Sequence, residues 1–226
     1  MSEVPFRVVW EDEHLMVIDK AAGLVVHPAP SHDGETLAEL LSDRIAGGPD
    51  GERAGIVHRL DRGTSGLMIV ARNDQSHAAL QDQIRERKVE RTYLALCQGA
   101  PRSRTGTIEA PIGRAAGARH RMAVNGAGAR SAVTHFEVLE VTGSVSLLRL
   151  RLETGRTHQI RVHLKAIGHP LVGDEVYGGP QFFGLERPFL HSTVLAFDHP
   201  VTGERLSFES GLPDDLQAAL ETARGA

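Results

Sequence analysis

Short apolar runs, several of them alternating with polar residues, recur along the chain and predict β-strands. Alternation with a period of two is typical of a strand buried on one face, and an unbroken short run is typical of a fully buried strand. The predicted strands are residues 6–10, 15–18, 67–71, 92–96, 134–141, 145–152, 193–197 and 205–208. Residues 18–28, where a glycine turn separates two apolar stretches, predict a hairpin.

Other stretches have the 3.6-residue period or the start and stop signals of helices. The predicted helices are residues 36–45, 74–87, 157–167 and 213–224, with Asp74 as a candidate N-cap. In the third helix, Ile160, Leu164 and Ile167 share one apolar face, and Arg161 lies half-buried at its margin. Because strands outnumber helices and often follow one another directly, the pattern favours an α+β fold with a mainly antiparallel or mixed sheet.

The length of 226 residues fits one domain, which we expect to span residues 1–226. Two glycine-rich stretches with little apolar periodicity, residues 47–55 and 99–130, are predicted loops. A single cysteine, Cys97, excludes an internal disulfide and a cysteine-rich zinc site. No apolar run approaches the roughly 20 residues of a membrane span, and the start does not look like a signal peptide. We therefore expect a cytoplasmic protein without a membrane partner.

The formal net charge of −4 hides an uneven distribution. Residues 84–130 carry ten basic and three acidic residues, so the predicted loop at 99–130 is a basic loop region. A locally positive strip is typical of a nucleic-acid-binding surface, because phosphate binding depends on the local potential. A solvated surface of mixed charge is the alternative interpretation.

The segment from Gly55 to Ala71 contains the strongest candidate for chemistry. Asp61 lies between Arg59 and Arg62, in a glycine-containing turn just before an apolar strand. Nearby positive charges lower the pKa of an aspartate, so we expect this carboxylate to stay ionised, as a nucleophile or electrostatic stabiliser requires. A structural turn with an Asp–Arg pair is the alternative.

The helix that begins near Thr154 carries the second candidate, Arg161. A half-buried guanidinium needs a carboxylate partner, and Asp61 is the natural one. The histidines in this segment are spaced poorly for a metal, since residues five apart on a helix point about 140° away from each other. We expect hydrogen-bonded structural histidines and no metal site at His158, His163 and His169.

Tyr93 follows the basic end of a predicted helix and lies on a strand, where its ring could stack on a nucleobase or pack in the core. The segment Gly63-Thr64-Ser65-Gly66 is one residue too short for a nucleophile elbow. Neither a Walker motif nor a dinucleotide-binding glycine motif occurs, so no nucleotide cofactor is expected.

Together these segments resemble the RNA pseudouridine synthases of the RluA-like family. The similar segments, in the family's order, are residues 17–28, 58–66, 93–96, 110–113, 154–161 and 168–174. Ala21 stands where the family usually carries proline, which affects only the rigidity of that turn. Larger members also carry an N-terminal RNA-binding domain, which we expect this form to lack because the first motif begins within 20 residues of the start.

The resemblance implies an α+β fold with a long mixed, mainly antiparallel β-sheet, flanking helices and a central catalytic cleft. It also implies an isomerase that converts a specific uridine to pseudouridine in structured RNA, either large-subunit rRNA or tRNA. The bond from uracil N1 to the ribose is broken, the base is rotated, and C5 is joined to the ribose, without cofactor or metal.

By motif position, the resemblance implies that Asp61 is the catalytic carboxylate and Arg161 its ion-pair partner. Tyr93 would pack on the target base and help to deprotonate C5, and Arg59 would fill the space that the base leaves. The expected substrate-binding residues are His58, Arg59, Arg62, Arg119, Arg121 and Arg156. The residues expected to hold phosphates in the basic region are Arg102, Arg104, Arg114, Arg119 and Arg121.

Two other classes stay open. The first is a catalytically silent RNA-binding protein on the same fold, and the second is a metal-dependent RNA hydrolase. Whether Asp61 attacks the sugar or the base, or first helps to eliminate the base through a glycal, is also open. We expect a monomer with RNA as its partner.

Overall fold

The computed structural model describes residues 5–28, 34–45, 55–117 and 121–225. The chain folds into two compact units. The first comprises Met1–Glu90 and Ser192–Ser210, and the second comprises Arg91–His191 and Gly211–Ala226. Within the described ranges, no helix is long and apolar enough to cross a membrane.

Strands dominate the described residues, as the period-two pattern predicts. They are β1 (Phe6–Glu11), β2 (Leu15–Lys20), β3 (Ser65–Ala71), β4 (Glu90–Gln98), β5 (Thr105–Glu109), β6 (Ile112–Arg114), β7 (Met122–Val124), β8 (Ala127–Arg130), β9 (Val133–Thr142), β10 (Val145–Leu152), β11 (Leu190–Asp198) and β12 (Arg205–Glu209). Each of the eight strands predicted from an apolar run is present, most of them one or two residues longer than that run.

The helices are fewer and mostly short. They are α1 (Leu37–Leu40), α2 (Asp74–Arg85), α3 (Gln159–Ala166) and α4 (Asp214–Gly225), with short 3-10 helices at Ser42–Arg44 and Glu175–Tyr177. The N-cap of α2 is Asn73, whose side chain accepts from the Ser76 N–H, and not Asp74 as predicted. Asn73 is the N-cap because its backbone is extended, whereas Asp74 is already helical.

In the first unit the strand order is β1-β2-β3-β11, with β12 paired to β11. The β1/β2, β2/β3 and β11/β12 pairs are antiparallel. Alternate residues of β2, β3 and β11 meet Leu80 of α2 in one buried cluster with Leu15, Leu67 and Phe197. Gly66 lets β3 approach β11 closely, since a Cβ atom there would lie 2.3 Å from the Ser192 carbonyl oxygen.

In the second unit the order is β4-β10-β9-β5, and every pair is antiparallel. Leu96 of β4 and its cross-strand neighbour Leu147 pack with Leu216 and Leu220 of α4. A separate three-stranded sheet has the order β7-β6-β8. Its Ile112 packs against α3 and the 3-10 helix at Glu175–Tyr177. The α+β class with a mainly antiparallel sheet is confirmed.

Two sequence predictions fail in these regions. Residues 99–130 do not form one basic loop, because β5, β6, β7 and β8 all lie there. These strands are only three to five residues long, too short for a clear apolar alternation, so cross-strand pairing and not periodicity selects them. The 18–28 stretch is no hairpin either, since residues 21–28, all of which the structure describes, form no strand after β2. The predicted loop at 47–55 lies almost entirely outside the described residues.

Candidate active site

The segment that carries Asp61 runs beside β3 in the first unit. Ile56 forms a bridge with Val70, and the Ile69 N–H donates to His58 Nε2 at 3.0 Å. The Asp61 carbonyl closes the following turn by accepting from the Thr64 N–H at 3.0 Å. Asp61 is half-buried, and both Arg59 and Arg62 are exposed. The turn therefore presents a carboxylate between two accessible guanidinium groups.

Lys20, which the sequence analysis did not single out, forms a hydrogen bond to this segment. Its side chain is fully buried, and Nζ donates to the carbonyls of Ala21 at 2.8 Å, Leu24 at 3.0 Å and Arg62 at 3.5 Å. The Gly23 N–H also donates to the Arg62 carbonyl at 2.7 Å. The turn after β2 thus supports the residue that follows Asp61. Only its place in the resembling motif at 17–28 could have drawn attention to it.

Tyr93 lies on β4 in the second unit, opposite Leu150 of β10, and is 5% exposed. Residues two apart on a strand share a face, so Arg91 and Tyr93 point to the same side of the sheet. The side chain of Arg91 is also buried, and burial lowers the pKa of its guanidinium. The prediction of Tyr93 as a strand residue is confirmed, and its role stays a prediction.

Arg161, on α3 in the same unit, forms a buried bidentate ion pair that the sequence analysis did not foresee. Its Nε and Nη2 donate to Asp174 Oδ2 and Oδ1 at 2.7 and 2.9 Å. The predicted half-burial is wrong, because Arg161 is only 7% exposed. Asp174 Oδ1 also accepts from the Tyr177 N–H at 3.3 Å, which orients the carboxylate. The predicted pair of Arg161 with Asp61 stays a prediction.

Tyr177 is a second residue that the sequence analysis missed. Its ring lies 4.9 Å from the Arg161 guanidinium carbon and 5.7 Å from that of Arg121, as cation–π contacts require. Its hydroxyl accepts from the Met122 N–H at 3.0 Å and lies 2.8 Å from His158 Nδ1. The two guanidinium groups and the hydrogen bonds of the hydroxyl therefore fix the orientation of the ring. The only available signal was that it is one of two tyrosines in the chain.

The histidines near α3 are hydrogen-bonded, as predicted. His163 is fully buried, with Nδ1 2.9 Å from Thr134 Oγ1 and Nε2 2.9 Å from the Ala110 carbonyl oxygen. His169 Nδ1 lies 2.8 Å from the carbonyl oxygen of Gln98. In the part of the chain that the structure describes, no three His, Cys, Asp or Glu side chains are grouped to hold a metal ion.

The remaining predicted RNA contacts lie mostly on the second unit. Arg156 is half-buried, donates from Nε to the Ser131 carbonyl at 3.0 Å, and has its pKa lowered by that burial. Arg121 and Lys165 line a cavity of about 310 Å³ between β7 and α3. Among the arginines predicted to hold phosphates, Arg102, Arg104 and Arg114 are exposed. Arg119 lies outside the described residues.

Comparisons with known proteins find a family model and relatives that are similar over most of the chain. A family model described as RNA pseudouridylate synthase matches residues 14–166. The chain is 46% identical to the ribosomal large subunit pseudouridine synthase D of Pseudomonas aeruginosa, over 99% of this chain and 73% of that protein. It is 45% identical to an uncharacterized RNA pseudouridine synthase of Bacillus subtilis, over 96% of this chain and 72% of the relative.

Two human proteins have solved structures of similar fold. Human RNA pseudouridylate synthase domain containing 4 has a TM-score of 0.74 at 26% identity, covering 96% of this chain and 92% of its own. Human RNA pseudouridylate synthase domain containing 1 has a TM-score of 0.73 at 28% identity, covering 98% and 95%. Both likenesses extend over nearly the whole chain.

Proposed function

Because this chain belongs to the RNA pseudouridylate synthase family and is an RNA pseudouridine synthase, we propose that its substrate is a uridine of large-subunit ribosomal RNA. The enzyme is an isomerase, and RNA is its partner. The observation that carries the choice of ribosomal RNA is the 46% identity, over 99% of the chain, to a relative named for the large ribosomal subunit. Transfer RNA is the competing substrate.

The proposal assigns the chemistry at the sugar to Asp61. A uridine in folded RNA must be swung out of its stack before a protein carboxylate reaches its ribose, at a cost of a few kcal/mol. Asp61 is half-buried between two exposed arginines, so a carboxylate is available at a positively charged surface. Arg59 is proposed to fill the space that the base vacates, and Arg62 and His58 are proposed to hold the flanking nucleotides.

Tyr93 is proposed to pack on the extruded base and to help remove the C5 proton. Stacking on an aromatic ring is worth about 1–3 kcal/mol per base, which would offset part of the extrusion cost. Arg161 is proposed to be the ion-pair partner of Asp61, as its motif position implies. The carboxylate of Asp174 and the ring of Tyr177 hold its guanidinium in one orientation.

Phosphate binding is proposed for the basic residues of the second unit. Arg121 and Arg156 are partly exposed, and Arg102, Arg104 and Arg114 are exposed. Arg119 is included from its sequence position alone. All carry charge that the RNA backbone would neutralise.

The test is tritium release from RNA labelled at uracil C5. Wild type and Asp61→Asn are compared on large-subunit rRNA and on tRNA, both taken from cells that lack this protein. We expect release from rRNA with the wild type, none with Asp61→Asn, and equal RNA binding by both, since the amide keeps the shape but cannot act as a carboxylate.

Each other outcome has a definite meaning. Release from tRNA alone would contradict the choice of ribosomal RNA. Turnover by Asp61→Asn, after mass spectrometry has excluded deamidation, would contradict the assignment of Asp61. Binding of both RNAs without release from either would favour the catalytically silent alternative, and loss of release on adding a chelator would favour a metal-dependent reaction.

The proposal extends to the setting of the enzyme. We place both compact units in one catalytic domain that acts as a monomer, in the cytoplasm where ribosomal RNA is modified. Sedimentation of the free protein at the mass of one 24.4 kDa chain would support the monomer, and sedimentation at twice that mass would contradict it.

A further inference from the structure

Arg91 is a buried cation to which neither the fold nor the reaction described above gives a use. It lies at the start of β4 and is 4% exposed. Its Nε has no hydrogen-bond partner, and none of the described residues forms an ion pair with it. The other deeply buried arginine of this unit, Arg161, is instead neutralised by Asp174.

Burial of an uncompensated charge is destabilising, and native proteins rarely retain it without a function. The absence of a side chain at Gly155 nevertheless leaves space for the Arg91 guanidinium. A Cβ atom on Gly155 would lie 2.9 Å from Arg91 Nη1, so any other residue at position 155 would displace the guanidinium. The turn before α3 therefore leaves room for a cation that has no anion beside it.

The position of Arg91 indicates where that anion arises. Arg91 and Tyr93 share one face of β4, whereas Leu96 on the other face packs against α4. The two side chains are close enough to interact electrostatically. If Tyr93 packs on the extruded uracil, as proposed above, the positive charge of Arg91 lies beside the same base.

A base inserted into the protein can come near a side chain that is 4% exposed, whereas the phosphate backbone stays close to solvent. We infer that Arg91 is a charge-stabilising residue for the uracil leaving group, which is negatively charged while it is detached from the ribose. This inference rests on the proposed function, and specifically on Tyr93 packing against the base.

The step balances without any co-reactant. The bond from N1 to C1′ breaks and its electron pair stays on N1, so the detached uracil is an anion whose charge is shared by N1, O2 and O4. After the base has turned, the bond from C5 to C1′ forms, C5 loses its proton, and N1 gains one. Arg91 interacts most strongly in the middle of this sequence, so its charge lowers the barrier rather than tightening substrate binding.

The test uses single-turnover rates on one RNA that carries either uridine or 5-fluorouridine at the target position. Fluorine withdraws electrons and stabilises the detached anion by itself. The readout is loss of the N-linked nucleoside after digestion, which both RNAs allow. We expect Arg91→Met to slow uridine cleavage by about 100-fold with RNA affinity unchanged, by analogy with the removal of an oxyanion donor. The slowing on 5-fluorouridine should be smaller by about tenfold, and Arg91→Lys should restore part of the rate.

Thermal unfolding supplies a readout besides activity. Methionine is apolar and of similar length, and no partner is orphaned when it replaces Arg91, so the melting temperature should stay the same or rise. The matched control is Arg149→Met on β10, where the side chain is exposed and paired with Glu137 at 2.9 Å. That variant should change neither cleavage rate.

Several results would overturn the inference. Equal slowing on both RNAs would show that Arg91 does not respond to charge on the base, and a loss confined to affinity would assign it to a phosphate. A marked fall in the melting temperature of Arg91→Met would assign it a structural role. A wild type that forms no pseudouridine on any uridine RNA would instead refute the proposed function, and this inference with it.

Discussion

Single buried side chains set the electrostatics of the second unit. Arg161 and Asp174 satisfy each other in a bidentate pair, with their side chains 8% and 1% exposed. Arg187 and Asp215 have almost the same geometry, at 2.6 and 2.8 Å, but the Asp215 side chain is 49% exposed. The two pairs therefore differ chiefly in burial.

This difference gives a residue-scale prediction. Asp174→Asn should lower the free energy of unfolding by about 3–5 kcal/mol, because it removes the carboxylate charge that pairs with the buried Arg161 guanidinium. Asp215→Asn, the matched control, should cost no more than about 1 kcal/mol. Urea unfolding of both variants measures the two losses. Similar losses would show that burial does not govern the strength of the Arg161 pair.

His163 provides the second prediction at this scale. Burial lowers its pKa, so the folded protein holds the ring neutral while the unfolded chain protonates it near its ordinary value, about 6.5. A group with a lowered histidine pKa contributes full stability above the unfolded value, and that contribution is lost as the pH falls below it.

Between about pH 6.5 and pH 5, the wild type should therefore lose stability faster than His163→Gln, whose amide does not titrate. Melting temperatures of both proteins across this range measure the difference. Parallel pH profiles would mean that His163 is protonated equally in the folded and unfolded states.

At the scale of elements, the Lys20 side chain and the Gly23 N–H both join the turn after β2 to the Asp61 segment, through the Arg62 carbonyl. Lys20 Nζ donates to carbonyls in both stretches. An apolar side chain at position 20 would donate no hydrogen bond to these carbonyls. Hydrogen bonds from a charged donor are worth about 1.5–3 kcal/mol.

Lys20→Met should accordingly reduce stability by about 1.5–3 kcal/mol and slow single-turnover pseudouridine formation, with RNA affinity little changed. Denaturant unfolding, rate and affinity are measured on the same preparation. Lys88→Met is the control for stability, since Lys88 is exposed and pairs with Glu86 on the protein surface. An unaltered rate in folded Lys20→Met would show that the Asp61 segment keeps its geometry without this lysine.

At the scale of the whole molecule, charge is segregated along the chain. The net charge is −4, yet residues 84–130 carry ten basic residues against three acidic ones. If this region binds the RNA backbone, Arg114→Ala and Arg121→Ala should each weaken binding uniformly and reduce the slope of log affinity against log salt by about 1. Chemistry on bound RNA should stay near normal.

Binding titrations at several salt concentrations measure the slope. Arg205→Ala is the control, because Arg205 lies outside the basic region and pairs with Asp198 at 3.2 Å. A slope that does not change in Arg114→Ala and Arg121→Ala would remove the backbone contacts from this region. A rate loss at full binding would place these arginines in the reaction instead.

Elements formed by neighbours along the chain could be predicted from the sequence better than contacts between distant segments. Strands such as Val145–Leu152 were predictable to the residue because their apolar pattern is a property of neighbours along the chain. The strands β6, β7 and β8 were not, since each is three or four residues long and forms only by pairing with the others. Asp61 and Tyr93 were found through motifs, while Asp174 and Tyr177 were missed as partners of Arg161.

Periodicity and motifs are properties of residues adjacent along the chain, and they were enough to predict the α+β class, most of the strands and the family. Which charges are buried, and which partners they meet, depends on the packing of the folded chain. Asp174 lies 13 residues from Arg161, and Arg62 lies 42 residues from Lys20. Such pairings follow from how separate segments pack, which no local pattern encodes. The unpaired charge of Arg91 likewise became visible only once the strand and the turn at Gly155 were in contact.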